Sequence, residues 1–230
     1  MAETFTKSLA GIELLGDISP ERRAELERTA RWRRCQAKEL VFNMQSSGTE
    51  VYFIVEGALQ VVNYSPAGRE VSFAQVPAGG YIGEMSAIDL KTRSATVVAF
   101  EGTVLASIMA ETFKKLIFDY PKLALVVLED LAAMGRAADE RIMDLSTLSA
   151  INRVHSELLR IAKIDDDDDN MAIITHIMTH SDIAARASTT RETVSRVLSN
   201  LARIRILERG KKALRVLDVD RLTNMIEDSE

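Results

Sequence analysis

The chain has 230 residues, 47% of them hydrophobic and 27% charged, which suits one large or two modest folded domains and confines disorder to the ends. Its net charge of −5 is unevenly spread: acidic residues gather at 165–169 and in the tail DVDRLTNMIEDSE, whereas 191–215 is strongly basic, so nucleic acid stays in play as a partner. Cys35 is the only cysteine, which excludes an internal disulfide, a cysteine zinc site and an iron–sulfur cluster and suits a buried bystander.

The start, MAETFTKSLAGIELLGD, lacks the basic stretch and apolar block of a secretory signal, and no later apolar run reaches membrane-spanning length. A cytoplasmic location without a membrane partner is therefore expected. DISPERRAELERTARW starts a helix: Ser19 can cap it, Pro20 fits its first position, and Glu21 favours the positive end of the dipole. From about 40 to 107 the texture turns to short β-rich runs (ELVFNM, EVYFIV, ALQVVNY, EVSFAQV, ATVVAF, TVLASIM) separated by the turn signals SSGT, EGA, SPAGR and PAGG. Their near-regular spacing predicts an antiparallel barrel or roll. One segment of it, YIGEMSAIDLKTRSATVVA at 81–99, sets a glycine, a carboxylate, a short polar turn and an arginine before small β-formers, the makings of a site for something small with hydroxyls and a negative charge.

A long helix follows over 121–145. Ala124, Leu128, Leu131, Gly135, Ala138, Ile142 and Leu145 alternate in steps of four and three, the seam of a helix that pairs in parallel with its own copy; the other reading is a stripe packed on the β-domain. Small Gly135 and Ala138 leave room for a ligand there. INRVHSELLRIAKI continues helical until DDDDDN, a solvated loop without the spaced ligands and glycine of a calcium site. Next come two short helices, HSDIAARA capped by Thr179 and, after the turn STT, RETVSRVLSNLARI. On the second, Val194, Val197 and Leu201 share one side, while Arg191, Glu192, Ser195 and Arg196 share the other. That polar face suits major-groove reading, Arg toward guanine and Glu toward the cytosine amino group, or else merely solvates an exposed helix. ILERGKKALRVLD reads as a hairpin with Lys211 and Lys212 at its tip for phosphate contacts.

Residues 179–217 resemble the winged helix–turn–helix of the cyclic-AMP receptor protein (Crp–Fnr) family of bacterial regulators, and RETVSR matches that family's recognition-helix motif residue for residue. GEMSAIDLKTRSAT resembles the phosphate-binding cassette of cyclic-nucleotide-binding domains. The resemblance spans about residues 10 to 217, with the motifs in the family's order. It implies an α+β chain with a cyclic-nucleotide-binding β-roll at 1–120, a dimerisation helix at 121–146 and a winged helix–turn–helix at 147–230.

The implied function is that of a homodimeric, cyclic-nucleotide-responsive transcription regulator, paired through 124–145, binding palindromic double-stranded DNA with TGTGA-like half-sites and meeting RNA polymerase. Toward DNA it implies Thr179, Thr190, Arg191, Glu192, Ser195, Arg196, Lys211 and Lys212. Toward the ligand it implies Gly83, which lets the backbone approach; Glu84, an acceptor for a ribose hydroxyl; Met85 and Ser86, in a turn whose amides from Met85 to Ala87 donate to phosphate; and Arg93 with Ser94 on the phosphate oxygens. Two departures stand out. Ser188 occupies the turn position where the family usually has glycine, which alone takes a left-handed conformation without cost. Ala138 and Asp139 stand where a Thr-Ser pair meets adenine in the best-known member. Cyclic AMP is the first choice of ligand and cyclic GMP the alternative, since Asp139 can accept from N1–H and the 2-amino group of guanine, or else is a flank charge facing Arg136 or Arg141.

No metal is expected, and a histidine-ligated haem is disfavoured because His155, His176 and His180 all lie outside the β-domain. Neither a Walker loop, nor a dinucleotide glycine fingerprint, nor a histidine near a nucleophile motif supports an enzyme. The alternative function is a nucleotide-independent DNA binder with a vestigial sensor.

Overall fold

The computed structural model describes residues 7–64, 70–165, 168–175, 178–210 and 213–227. The turn SPAGR, His176 and both Lys211 and Lys212 lie outside the described residues. Two compact units divide the chain, residues 1–134 and 135–230.

In the first unit a short 3-10 turn, Glu13–Leu15, precedes α1 (Pro20–Thr29), which Ser19 caps by accepting from the Arg22 amide. The helix ends at Thr29, earlier than its sequence texture suggests, and Trp32 belongs to a strand instead. That strand, β1 (Arg31–Cys35), is followed by β2 (Leu40–Phe42), β3 (Val51–Glu56), β4 (Ala58–Tyr64), β5 (Glu70–Pro77) and β6 (Tyr81–Ile82). Helix α2 (Glu84–Asp89) interrupts the strands before β7 (Thr96–Ala99) and β8 (Thr103–Ile108), and α3 (Ala110–Asp119) leads into α4 (Pro121–Thr147).

The strands make two antiparallel sheets, ordered β1-β8-β3-β6 and β2-β7-β4-β5. Period-two alternation explains how they close. Cys35, Val41, Ile54, Leu59, Ile82, Val97, Ala99 and Leu105, drawn from both sheets, form one buried cluster inside the roll. Val51, Phe53, Ala106 and Ile108 face the other way and pack with Leu26, Ala87, Phe113, Leu116, Leu123 and Val127 of the helices. Strands β3 and β8 are therefore apolar on both faces, a pattern that buried central strands require. β1, with three arginines in five residues, is a sheet-edge strand, and its charge hides it from a reading by β-propensity.

The N-terminal half of α4 buries Leu123 and Val127 against this core. Leu131 also packs partly there, so one residue of the expected seam turns inward. Leu128, Ile142 and Leu145 stay largely exposed, as do Gly135 and Ala138.

The second unit continues α4 and breaks at Leu148 and Ser149, where the Ser149 hydroxyl caps α5 (Ala150–Ile161). The run expected to stay helical through Ile164 ends at Ile161. β9 (Lys163–Ile164) pairs with β10 (Ala172–Ile174), and the Asp165 amide donates to the Met171 carbonyl, while residues 166 and 167 of the acidic run lie outside the described residues. Then come α6 (His180–Arg186), α7 (Arg191–Arg203), β11 (Leu207–Arg209), β12 (Leu214–Val216) and α8 (Val219–Glu227). The sheet order is β11-β12-β10-β9. Val154, Leu158, Ile183, Val194, Leu201, Ile206, Val216 and Leu222 share the core.

Side chains from α4 and α5 anchor α6. The buried Glu157 carboxylate accepts from Arg186 and from Arg160, at 3.0 Å for the latter, and Arg160 also reaches Asp144 of α4 at 2.8 Å. Arg141 of α4 donates to the Arg186 carbonyl at 2.7 Å, satisfying an end of α6 that has no partner within the helix.

Candidate functional site

Gly83 has φ +93°, and a Cβ there would stand 2.5 Å from Arg93 Nη1 and 2.6 Å from the Glu50 carbonyl oxygen. Only glycine fits on both counts. It caps α2, whose first residue is Glu84, so the presumed turn is a short helix and the amides shift by one from expectation. Ala87 donates to the Gly83 carbonyl at 3.2 Å and is spoken for, while the helical pattern leaves the amides of Glu84, Met85 and Ser86 without a carbonyl four residues back. Leu90, at φ +60°, ends the helix and turns the chain toward Arg93.

The Glu84 side chain is buried, and burial raises its pKa above the ordinary carboxylate value. Hydrogen bonds from the Glu84 and Gly83 amides and the Arg93 charge oppose that rise, whereas Asp130 adds to it. Met85 is exposed and accepts from the Ser94 hydroxyl at 3.6 Å; Ser86 is buried.

Arg93 is only 3% exposed. Its Nη2 donates to the Glu50 carbonyl at 2.8 Å and contacts the Glu50 carboxylate at 3.4 Å, and Nη1 donates to the Gly83 carbonyl at 3.3 Å. Cζ lies 4.2 Å from the Phe42 ring centroid and 5.7 Å from that of Tyr52. Burial draws its pKa down, and Tyr52, Glu50 and Glu84 push back. Nε is buried with no hydrogen-bond partner. An orphaned donor on a buried guanidinium asks for an acceptor such as a phosphate oxygen.

The structure thus brings Gly83, Glu84, Met85, Ser86, Arg93 and Ser94 together in one unit. Ala138 and Asp139 lie exposed on α4 in the second unit. Sequence reasoning missed Glu50, Phe42 and Tyr52, which hold Arg93 from strands and loops far away in the chain; no local pattern marks them. It also missed Tyr81, whose hydroxyl donates to Asp130 Oδ2 of α4 at 2.7 Å; burial first, then this bond, pushes the phenol pKa up.

In the second unit Thr179 caps α6 in a reciprocal box with Asp182, and Thr190 caps α7 through the Thr193 amide. Both hydroxyls serve the helix ends. Arg191, Glu192 and Arg196 are exposed on α7 and Ser195 half-buried, opposite buried Val194, Val197 and Leu201. Ser188 adopts φ +49°, the left-handed conformation that the family's glycine would take. Arg153 holds the turn there: Nε donates to the Ala187 carbonyl at 3.0 Å, Nη2 to the Ser188 carbonyl at 3.2 Å, and Nη1 to the Leu148 carbonyl at 2.9 Å. The wing closes with the Gly210 amide on the Ala213 carbonyl at 2.9 Å. No helix among the described residues is long and apolar enough to cross a membrane, and no group of three or more His, Cys, Asp or Glu there could hold a metal ion.

Comparison with known proteins matches residues 32–120 to the cyclic nucleotide-binding domain and residues 152–225 to the Crp-like helix-turn-helix domain. A curated relative from Thermus thermophilus, the cyclic AMP receptor protein, is 32% identical over 176 residues, covering 76% of this chain and 79% of the relative. The CRP-like cAMP-activated global transcriptional regulator of Mycobacterium tuberculosis is 25% identical over 183 residues, 79% of this chain and 82% of that protein. Among solved structures, a CooA mutant from Carboxydothermus hydrogenoformans superposes with a TM-score of 0.78 at 20% identity, covering 96% of both chains. FixK2 from Bradyrhizobium japonicum gives 0.70 at 22% identity, covering 86% of this chain and 98% of its own. These two likenesses speak for the fold alone.

Proposed function

The chain belongs to the Crp–Fnr family of transcription regulators, joining a cyclic nucleotide-binding domain to a DNA-binding helix–turn–helix, and from that premise we propose that a cyclic nucleotide switches its DNA binding. The observation that carries the reading is Arg93, buried beside Gly83 with an orphaned Nε. A cyclic phosphodiester supplies the acceptor that this donor lacks, with Ser94 and the amides of Met85 and Ser86 at the start of α2 on the other oxygens. The buried Glu84 carboxylate accepts from the ribose 2′-hydroxyl.

For the base, the family resemblance assigns Ala138 and Asp139 of α4. Cyclic AMP is the first candidate, supported by relatives named for it; cyclic GMP is the alternative if Asp139 accepts from guanine. Two copies pair through the exposed stripe of α4 within 124–145, and ligand bound by the active arrangement more tightly shifts the population toward it. Arg191, Glu192 and Arg196 then read bases in TGTGA-like half-sites one helical turn apart, with Ser195 beside them and Lys211 and Lys212 on phosphates. RNA polymerase is the expected further partner.

A second reading is favoured by the same arginine: Glu50, Gly83 and Phe42 already hold its guanidinium, and both α4 positions lack hydroxyls. Such a protein binds DNA without ligand. Titration calorimetry of nucleotide-stripped protein with cyclic AMP and cyclic GMP, followed by DNA-binding assays, separates the two. A heat of binding and a DNA affinity that rises with ligand support the switch; silence from both nucleotides leaves the constitutive binder.

A further inference from the structure

Glu50 sits against the guanidinium that the nucleotide reading assigns to the phosphate. Its carbonyl and its carboxylate both meet Nη2 of Arg93, at 2.8 and 3.4 Å, and the surroundings are shaped to allow it. A Cβ at Gly48 would stand 3.0 Å from Glu50 Oε2 and 3.5 Å from Arg93 Nη2, so glycine at that position leaves the carboxylate its place on the guanidinium. A Cβ at Gly83 would strike the Glu50 carbonyl. Arg93 is thus opposed by carboxylate charge before any ligand arrives. Glu50 touches it and Glu84 acts on it, while Lys91 is exposed and already lies 3.6 Å from Asp89.

Each further negative charge brought to this one guanidinium therefore meets more repulsion than the last. A cyclic phosphodiester carries a single charge, whereas a phosphomonoester at neutral pH carries ~1.5–2. Among the described residues the cassette offers the second charge of a monoester no further buried cation beside Arg93, and Glu50 opposes it. We infer that Glu50 is a specificity-determining residue of the nucleotide site, its carboxylate admitting singly charged cyclic phosphodiesters and refusing doubly charged phosphomonoesters. This rests on the nucleotide reading above. Two unit charges about 6 Å apart at an effective dielectric constant of about 40 correspond to roughly a tenfold change in affinity.

The test uses the full chain stripped of nucleotide, with cyclic AMP, cyclic GMP and 5′-AMP as probes in calorimetry or competition. Glu50→Gln keeps an oxygen able to accept from Arg93 and removes only the charge; Glu50→Asp keeps the charge. The expected result is that the preference for cyclic nucleotide over 5′-AMP falls roughly three- to tenfold in Glu50→Gln and persists in Glu50→Asp. An unchanged ratio, an equal gain for both ligands, or the same loss of preference in Glu50→Asp would overturn the filter while leaving nucleotide binding intact. If the unmutated chain binds no cyclic nucleotide, the nucleotide reading itself fails first, and the filter falls with it.

Discussion

Replacing Gly83 with alanine tests the cradle at its tightest point. The new Cβ meets Arg93 Nη1 at 2.5 Å and the Glu50 carbonyl at 2.6 Å, and the backbone keeps φ +93°. The left-handed conformation costs a residue with a side chain about 1–2 kcal/mol. Relieving the overlap by moving backbone or guanidinium costs about 1–3 kcal/mol more. Together these lower the melting temperature of the first unit on the order of 10 °C. A displaced Arg93 also loses charge-assisted bonds to the ligand, worth about 1.5–3 kcal/mol, so the Kd for cyclic nucleotide rises roughly 10- to 150-fold. Gly102 provides the control, because a Cβ there meets nothing within 4 Å. Differential scanning fluorimetry and titration calorimetry on both variants measure the effect. A Gly83→Ala protein that melts within about 2 °C of the parent and binds within about twofold refutes the cradle.

Arg191→Ala should weaken binding to a specific operator by about 1–3 kcal/mol and leave random DNA nearly untouched; equal losses on both in a fluorescence-anisotropy titration would make Arg191 a phosphate contact. Because burial raises the Glu84 pKa, the folded state holds that proton more tightly than the unfolded one. Its contribution is fully present below the unfolded value near 4.5 and is lost as pH rises through the higher folded value. Glu84→Gln should therefore remove part of the decline in stability between acid and neutral pH, and urea titrations with identical pH slopes in both proteins would contradict this. Arg153→Ala removes two bonds to carbonyls of the α6–α7 turn and one to the Leu148 carbonyl and should destabilise the second unit by about 2–3 kcal/mol, of which adding Ser188→Gly restores a part by relaxing the left-handed turn. Denaturation followed by far-ultraviolet circular dichroism reads both steps, and full stability in Arg153→Ala would show that Ser188 needs no support.

Much of the architecture is written locally. Runs of β-forming apolar residues define β3, β4 and β8, Ser19 and Thr179 mark helix starts, and Val194, Val197 and Leu201 divide α7 into a buried and an exposed face, because composition, period and capping are properties of neighbouring residues. The stretches that mark the cyclic nucleotide-binding domain and the helix–turn–helix were legible for the same reason, being contiguous. β1 was hidden by its arginines, α2 by its shortness, and α8 by an acidic sequence that an amphipathic helix tolerates on its outer face. The surroundings of Arg93 were hidden too. Nothing within either local segment joins Glu50 or Phe42 to Arg93, or Tyr81 to Asp130; antiparallel pairing and helix packing do so across 43, 51 and 49 residues respectively. Sequence by itself determined which groups could carry a phosphate and a base pair, since that is a matter of side-chain chemistry at short spacing. Tertiary structure alone decided that Arg93 is buried, opposed by Glu50 and short of one acceptor, because burial and charge balance depend on what the fold brings from elsewhere.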